Sequence, residues 1–106
     1  MIHKNLTKDS WKKIPFIEQM SHVGSEIFRA IKWKRKDNIE YSQKAYIRGL
    51  ELLGLTISVQ RGFYRICELT RLREVLNDYF YGNNIFNSTG SSLEKYFYQF
   101  NFAARK

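Results

Sequence analysis

Cysteine is nearly missing from this chain: Cys67 is the one thiol in 106 residues. No internal disulfide can form, and a lone thiol fits a reducing compartment, so a cytoplasmic location is expected. Histidine is as scarce, with only His3 and His22. Zinc and iron–sulfur sites need clustered Cys and His at set spacings, so no metal and no cofactor are expected. Pro15 is the single proline, so no later proline interrupts a helix. No run approaches the roughly 20 apolar residues of a membrane span. The opening MIHKNLTKDSWKK is charged and polar with no apolar core of its own, so no secretory leader and no membrane partner are expected. Phosphate-loop, GxSxG and HExxH patterns are absent, as are useful lengths of strand-like alternation. No segment repeats another, which argues against a solenoid.

What remains is enough for one core. Hydrophobic residues make up 43% and aromatics 16%, a globular rather than a disordered composition, and the length suits a single domain over 1–106. The periodicity predicts an all-α fold, a four-helix antiparallel up-down bundle with a basic N-terminal arm. The arm covers 1–12 and carries Lys4, Lys8 and Lys12.

The first predicted helix, about 15–36, places Phe16, Met20, Val23, Ile27, Ala30 and Ile31 on one face. The second, about 39–57, has Ile39, Tyr46, Leu50, Leu53 and Ile57, with small Ser42, Ala45, Gly49 and Thr56 beside them for close approach of a neighbour. Gly49 and Gly54 each cost about 1 kcal/mol in a helix interior, so packing must compensate. The third, about 63–81, aligns Ile66, Leu69, Leu72, Leu76, Tyr79 and Phe80, and Gly82-Asn83-Asn84 stops it. A polar loop at 83–92 leads to the fourth, about 91–105, with Leu93, Tyr96, Phe97, Phe100 and Ala104 inward. Ser91 and Glu94 match a capping box there.

Charge is uneven. The net charge is +8; residues 1–36 hold nine Lys/Arg against three Asp/Glu, and residues 37–106 hold nine against seven. A basic end on a nearly balanced body points to an anionic partner such as nucleic acid, although a solubilising surface has the same signature. The candidate nucleic-acid contacts are Lys12, Lys13, Lys32, Lys34, Arg35 and Lys36, with Trp33 packing or stacking beside them.

Other constellations are less specific. His22, Glu26, Arg29 and Trp33 form a stripe on the first helix, either a solvated salt-bridge row or a partner face. Arg73 falls on the apolar side of the third helix with Asn77 one turn on. A buried guanidinium needs a carboxylate, and Glu26 and Glu51 are candidates. The structural reading is a register-fixing ion pair. The functional one is an anion or polar pocket of Glu26, Arg29, Arg73 and Asn77, with Arg65 nearby. Arg71, Glu74 and Asp78 read as a solvated face, and Cys67 as a packed structural thiol. Tyr98 and Phe102 lie opposite the core face of the last helix, while Tyr41 and Tyr64 also point outward. Such aromatics either stack unpaired bases or bury in a homodimer or partner-protein interface, the latter being the preferred use of Tyr98 and Phe102.

The run GSEIFRAIKWKRKDNIEYSQKAYIRGLELLGLTI (Gly24–Ile57), with RLREVLNDYF (Arg71–Phe80) and KYFYQFNFAAR (Lys95–Arg105), resembles a small prokaryotic family of all-helical proteins with no assigned function. The resemblance implies a helical bundle. Where that family carries acids, this chain has Gly54 and Gly90. Asn38–Leu53 faintly resembles half of a tetratricopeptide repeat. Arg73-Glu74-Val75-Leu76-Asn77-Asp78 resembles the Arg-polar-His motif of HEPN domains, with Asp78 in the position of the histidine. That implies at most a relative without the ribonuclease activity. The expected function is therefore a non-enzymatic binding module, with an inter-helix enzyme site around Arg73, Glu26 and Asp78 as the remaining alternative.

Overall fold

The computed structural model of the chain describes residues 7–104. His3 and Lys4 of the expected arm, Arg105 at the expected end of the last helix, and the side chain of Ala104 lie outside the described residues. Five helices follow one another: α1 (Lys8–Lys12), α2 (Phe16–Arg35), α3 (Ile39–Ser58), α4 (Phe63–Phe80) and α5 (Gly90–Ala104).

The four long helices form the up-and-down bundle that the periodicity predicts. Contacts fix their directions. Ser42 Oγ donates to the Ala30 carbonyl at 2.8 Å, Arg48 meets Glu26, and Gln60 reaches Gln19, so α3 runs against α2. Arg35 meets Glu94 and Ser21 donates to Asn101, so α5 also runs against α2. The Arg65 guanidinium sits over Phe16 and the Lys34 amine over Tyr79, so α4 runs parallel to α2. No helix of the described residues is long and apolar enough to cross a membrane.

The expected arm is not an arm from Thr7 onward. Thr7 and Ser10 form a reciprocal capping box that starts α1. Trp11 then turns inward, only 2% exposed, and its indole N–H donates to Thr56 Oγ1 at 2.9 Å. Gln19, itself buried, donates to the Trp11 and Ile14 carbonyls. Every polar group this docking buries at Trp11 and Gln19 thus finds a partner, which makes the docking affordable in a low-dielectric interior.

The core is Trp11, Met20, Val23, Ile27, Ala30, Ile31, Ala45, Tyr46, Leu52, Leu53, Leu69, Leu72, Leu76, Leu93 and Phe97. Ile39 departs from expectation and is exposed, because the α2–α3 seam is made by Ser42, Ala45 and Gly49 instead. A Cβ on Gly49 would come within 3.0 Å of Ile27 Cδ1, so its absence lets the helices close. Cys67 is exposed rather than packed, since the buried stripe of α4 runs through Leu69, Leu72 and Leu76.

Two helix ends matter for the site. The α2 terminus closes in a Schellman arrangement: Asn38 N–H bonds the Trp33 carbonyl, Asp37 N–H bonds the Lys34 carbonyl, and Asp37 has φ 59°. Asn38 then caps α3 through Tyr41 N–H. This tight connection brings Trp33 and Tyr41 together. At the α5 start, the capping pair is Thr89 with Ser92, not Ser91 with Glu94. Glu94 is instead occupied by Arg35 at 3.0 Å.

Candidate nucleic-acid interface

The run Lys32–Lys36 is contiguous in sequence but not in space, because successive residues on a helix rotate by about 100°. Lys34 turns toward α4, over the Tyr79 ring at 5.0 Å. Arg35 turns toward α5, bonded to Glu94 and to Ser91 Oγ. Lys32 and Lys36 remain with Trp33, at 5.8 and 5.3 Å from its ring centroid. The half-buried Trp33 meets the half-exposed Tyr41 edge-on, 5.2 Å between centroids, and Lys44 lies 5.7 Å from the Tyr41 ring. The result is an aromatic pair ringed by three ammonium groups at the α2–α3 corner.

Below this pair the seam carries a second group of charges. Glu26 is 3% exposed. It accepts from Arg29 Nη1 on one oxygen at 3.1 Å and from Arg48 Nε on the other at 3.0 Å. Of the partners that the sequence offers Glu26, the structure keeps Arg29 from the salt-bridge row on its own helix. Arg73 is not a partner. It is half-buried on α4 beside Tyr46, and no carboxylate lies within ion-pair distance of it among the described residues. Asn77 accepts the Tyr46 hydroxyl. The expected polar pocket thus divides into an α2–α3 half, Glu26 and Arg29, and an α3–α4 half, Arg73 and Asn77. An open cleft of about 370 Å³ lies elsewhere, lined by Gln60, Gly62, Tyr64, Arg65 and Glu68.

Five cations, Arg29, Lys32, Lys36, Lys44 and Arg48, line one face of α2 and α3. They stand against the two carboxylates they bond, Glu26 and Glu40. The Lys44–Glu40 pair is exposed on both sides and holds weakly. His22, on the same α2 stripe as Arg29 and Trp33, touches the Trp11 ring at 5.7 Å. The exposed Lys12 and Lys13 follow Trp11 directly. They therefore sit at the far end of this face, about 16 Å along α2 from Trp33. Sequence reasoning missed Lys44 and Arg48, which fall outside the basic third. Their i, i+4 spacing, with Tyr41 one turn before Lys44, was the available signal.

Asp78 has a structural role. Its two oxygens accept the Ile85 and Phe86 backbone N–H groups and hold the loop after α4. On the α2–α5 side, Tyr98 packs on Phe28 with ring centroids 5.2 Å apart, and Phe102 is 74% exposed one turn on. No protein-family model, no curated protein and no solved structure matches this chain.

Proposed function

We propose that the protein is a non-enzymatic, cytoplasmic nucleic-acid-binding module whose contact surface is the α2–α3 face. The observation that supports this reading is the Trp33–Tyr41 pair with Lys32, Lys36 and Lys44 around it. Sequence-tolerant binding of nucleic acid combines cations that neutralise phosphates with aromatic rings on which bases stack. Lys34 and Arg35, engaged with α4 and α5, add to the general positive potential but not to the contact. Lys12 and Lys13 extend the face for longer ligands. Fluorescence titration with RNA and DNA oligonucleotides tests the reading. Trp33 emission is expected to be quenched, with affinity falling steeply between low and physiological salt. Unchanged emission, or an affinity flat with salt, refutes it.

A second reading has its own observation. Ile17, Tyr98 and Phe102 leave apolar surface exposed on the α2–α5 side, which suits a homodimer. Light scattering decides it: a dimer that Phe102→Ser converts to monomer supports this use of the face, and a monomer at high concentration ends it.

A further inference from the structure

Among the described residues, Glu26 is the only charged side chain that is buried. A carboxylate in that position is tolerable only when paired and hydrogen-bonded, and here each oxygen takes one N–H from a different helix. The two guanidiniums are held at one edge and open at the other: their side chains are 62% and 36% exposed. Each guanidinium has five N–H donors in a rigid plane, and Glu26 takes one from each. The donors that Glu26 does not take belong to side chains that stay partly exposed, and a guanidinium can grip a phosphate bidentately, as a fork, through such donors. The buried carboxylate also removes much of the entropy that a free arginine would lose on binding.

This fork has neighbours. Trp33 follows Arg29 by four residues on α2, about 6 Å along the axis, and Tyr41 precedes Arg48 by seven on α3, about 10 Å. Lys44 lies between Tyr41 and Arg48. A phosphate in the fork therefore has an aromatic ring within the reach of the base attached to it. In a duplex the bases are stacked on each other and cannot lie on an outside ring. In a single strand they can.

We infer that Glu26 is a positioning residue that sets Arg29 and Arg48 as a phosphate fork. The fork and the Trp33–Tyr41 pair together hold one phosphate and one unstacked base of single-stranded nucleic acid. The inference rests on the nucleic-acid reading above and narrows its ligand to single strands.

The test is a binding titration of the full chain with a short single-stranded oligonucleotide and with its duplex. The double variant Arg29→Lys/Arg48→Lys keeps both charges and loses both forks, so single-strand affinity is expected to fall about tenfold with the salt slope little changed. Glu26→Gln separates positioning from charge. Removing a carboxylate under a basic face strengthens binding if charge alone matters, and weakens it if the carboxylate sets the fork. Thermal melting checks that each variant remains folded before its affinity is compared. A double variant that binds within about twofold of the wild type overturns the inference, as does a tighter-binding Glu26→Gln or a duplex bound as well as the single strand. Wild-type protein that binds no oligonucleotide at all is a different result, and removes the nucleic-acid reading itself.

Discussion

Glycine positions in this bundle divide by what a methyl group would meet. A Cβ on Gly24 would lie 3.1 Å from both Cβ and Cδ1 of Phe97, at the point where α2 and α5 approach. Gly54 has nothing within 4 Å, although it sits inside α3 and carries the full helical penalty of glycine. Gly54→Ala is therefore expected to raise stability by about 0.5–1 kcal/mol, mostly by restricting the unfolded chain. Gly24→Val is expected to lower it by about 1–3 kcal/mol through overpacking against Phe97. Urea unfolding of both variants checks the pair, and a destabilised Gly54→Ala would contradict the open space found at that position. The row of small residues separates Gly49 from Gly54 in the sequence, but what stands where each side chain is missing, Ile27 or open space, is decided by another element. The same limit applies to Trp11. Its indole became interpretable once Thr56, forty-five residues away, proved to accept its N–H.

At the scale of elements, the long helices were readable because their apolar residues recur with the helical period, and their ends lie within a residue or two of expectation. Partner assignments were less readable. Periodicity gives the direction a residue faces on its own helix but not which helix stands opposite, so Glu26 and Arg73 were joined when they belong to different seams. Helix α4 is lightly embedded, with only Leu69, Leu72 and Leu76 buried among its 18 residues. Tyr46 of α3 holds it, stacking on Phe80 at 4.4 Å and bonding Asn77, while Tyr96 of α5 lies near enough to Glu68 to feel its charge. Burial raises the Tyr46 hydroxyl well above its usual range, helped by Tyr81 and opposed by Arg73, and pushes Tyr96 up to about 12, helped by Glu68. The fold thus favours the neutral phenols. Below pH of about 10 folded and unfolded chains both keep these protons, and the stabilisation is complete. Above it the unfolded chain ionises first, so stability is expected to fall between about pH 10 and 12. Thermal midpoints over that range should decline, and less steeply for Tyr46→Phe than for the wild type. Parallel curves for the two proteins would show that Tyr46 carries none of the effect.

For the whole molecule, the net charge of +8 is less informative than its division among faces. The sequence located the basic character in the first third of the chain. In three dimensions Lys34 and Arg35 leave for α4 and α5, Lys12 and Lys13 lie at the other end of the bundle, and Lys44 and Arg48 join from α3. A face assembled from two helices cannot be read from one helix's charge run, although Trp33 within that run belongs to the proposed face. The most direct test of this account is the salt dependence of binding to a short single strand, compared between two double variants. Lys32→Ala/Lys36→Ala should weaken binding and reduce the slope of log affinity against log salt by about 1–2, while Lys12→Ala/Lys13→Ala should leave the slope near that of the wild type. Equal effects of the two, or a slope changed only by the second, would contradict the assignment of the interface to the α2–α3 face.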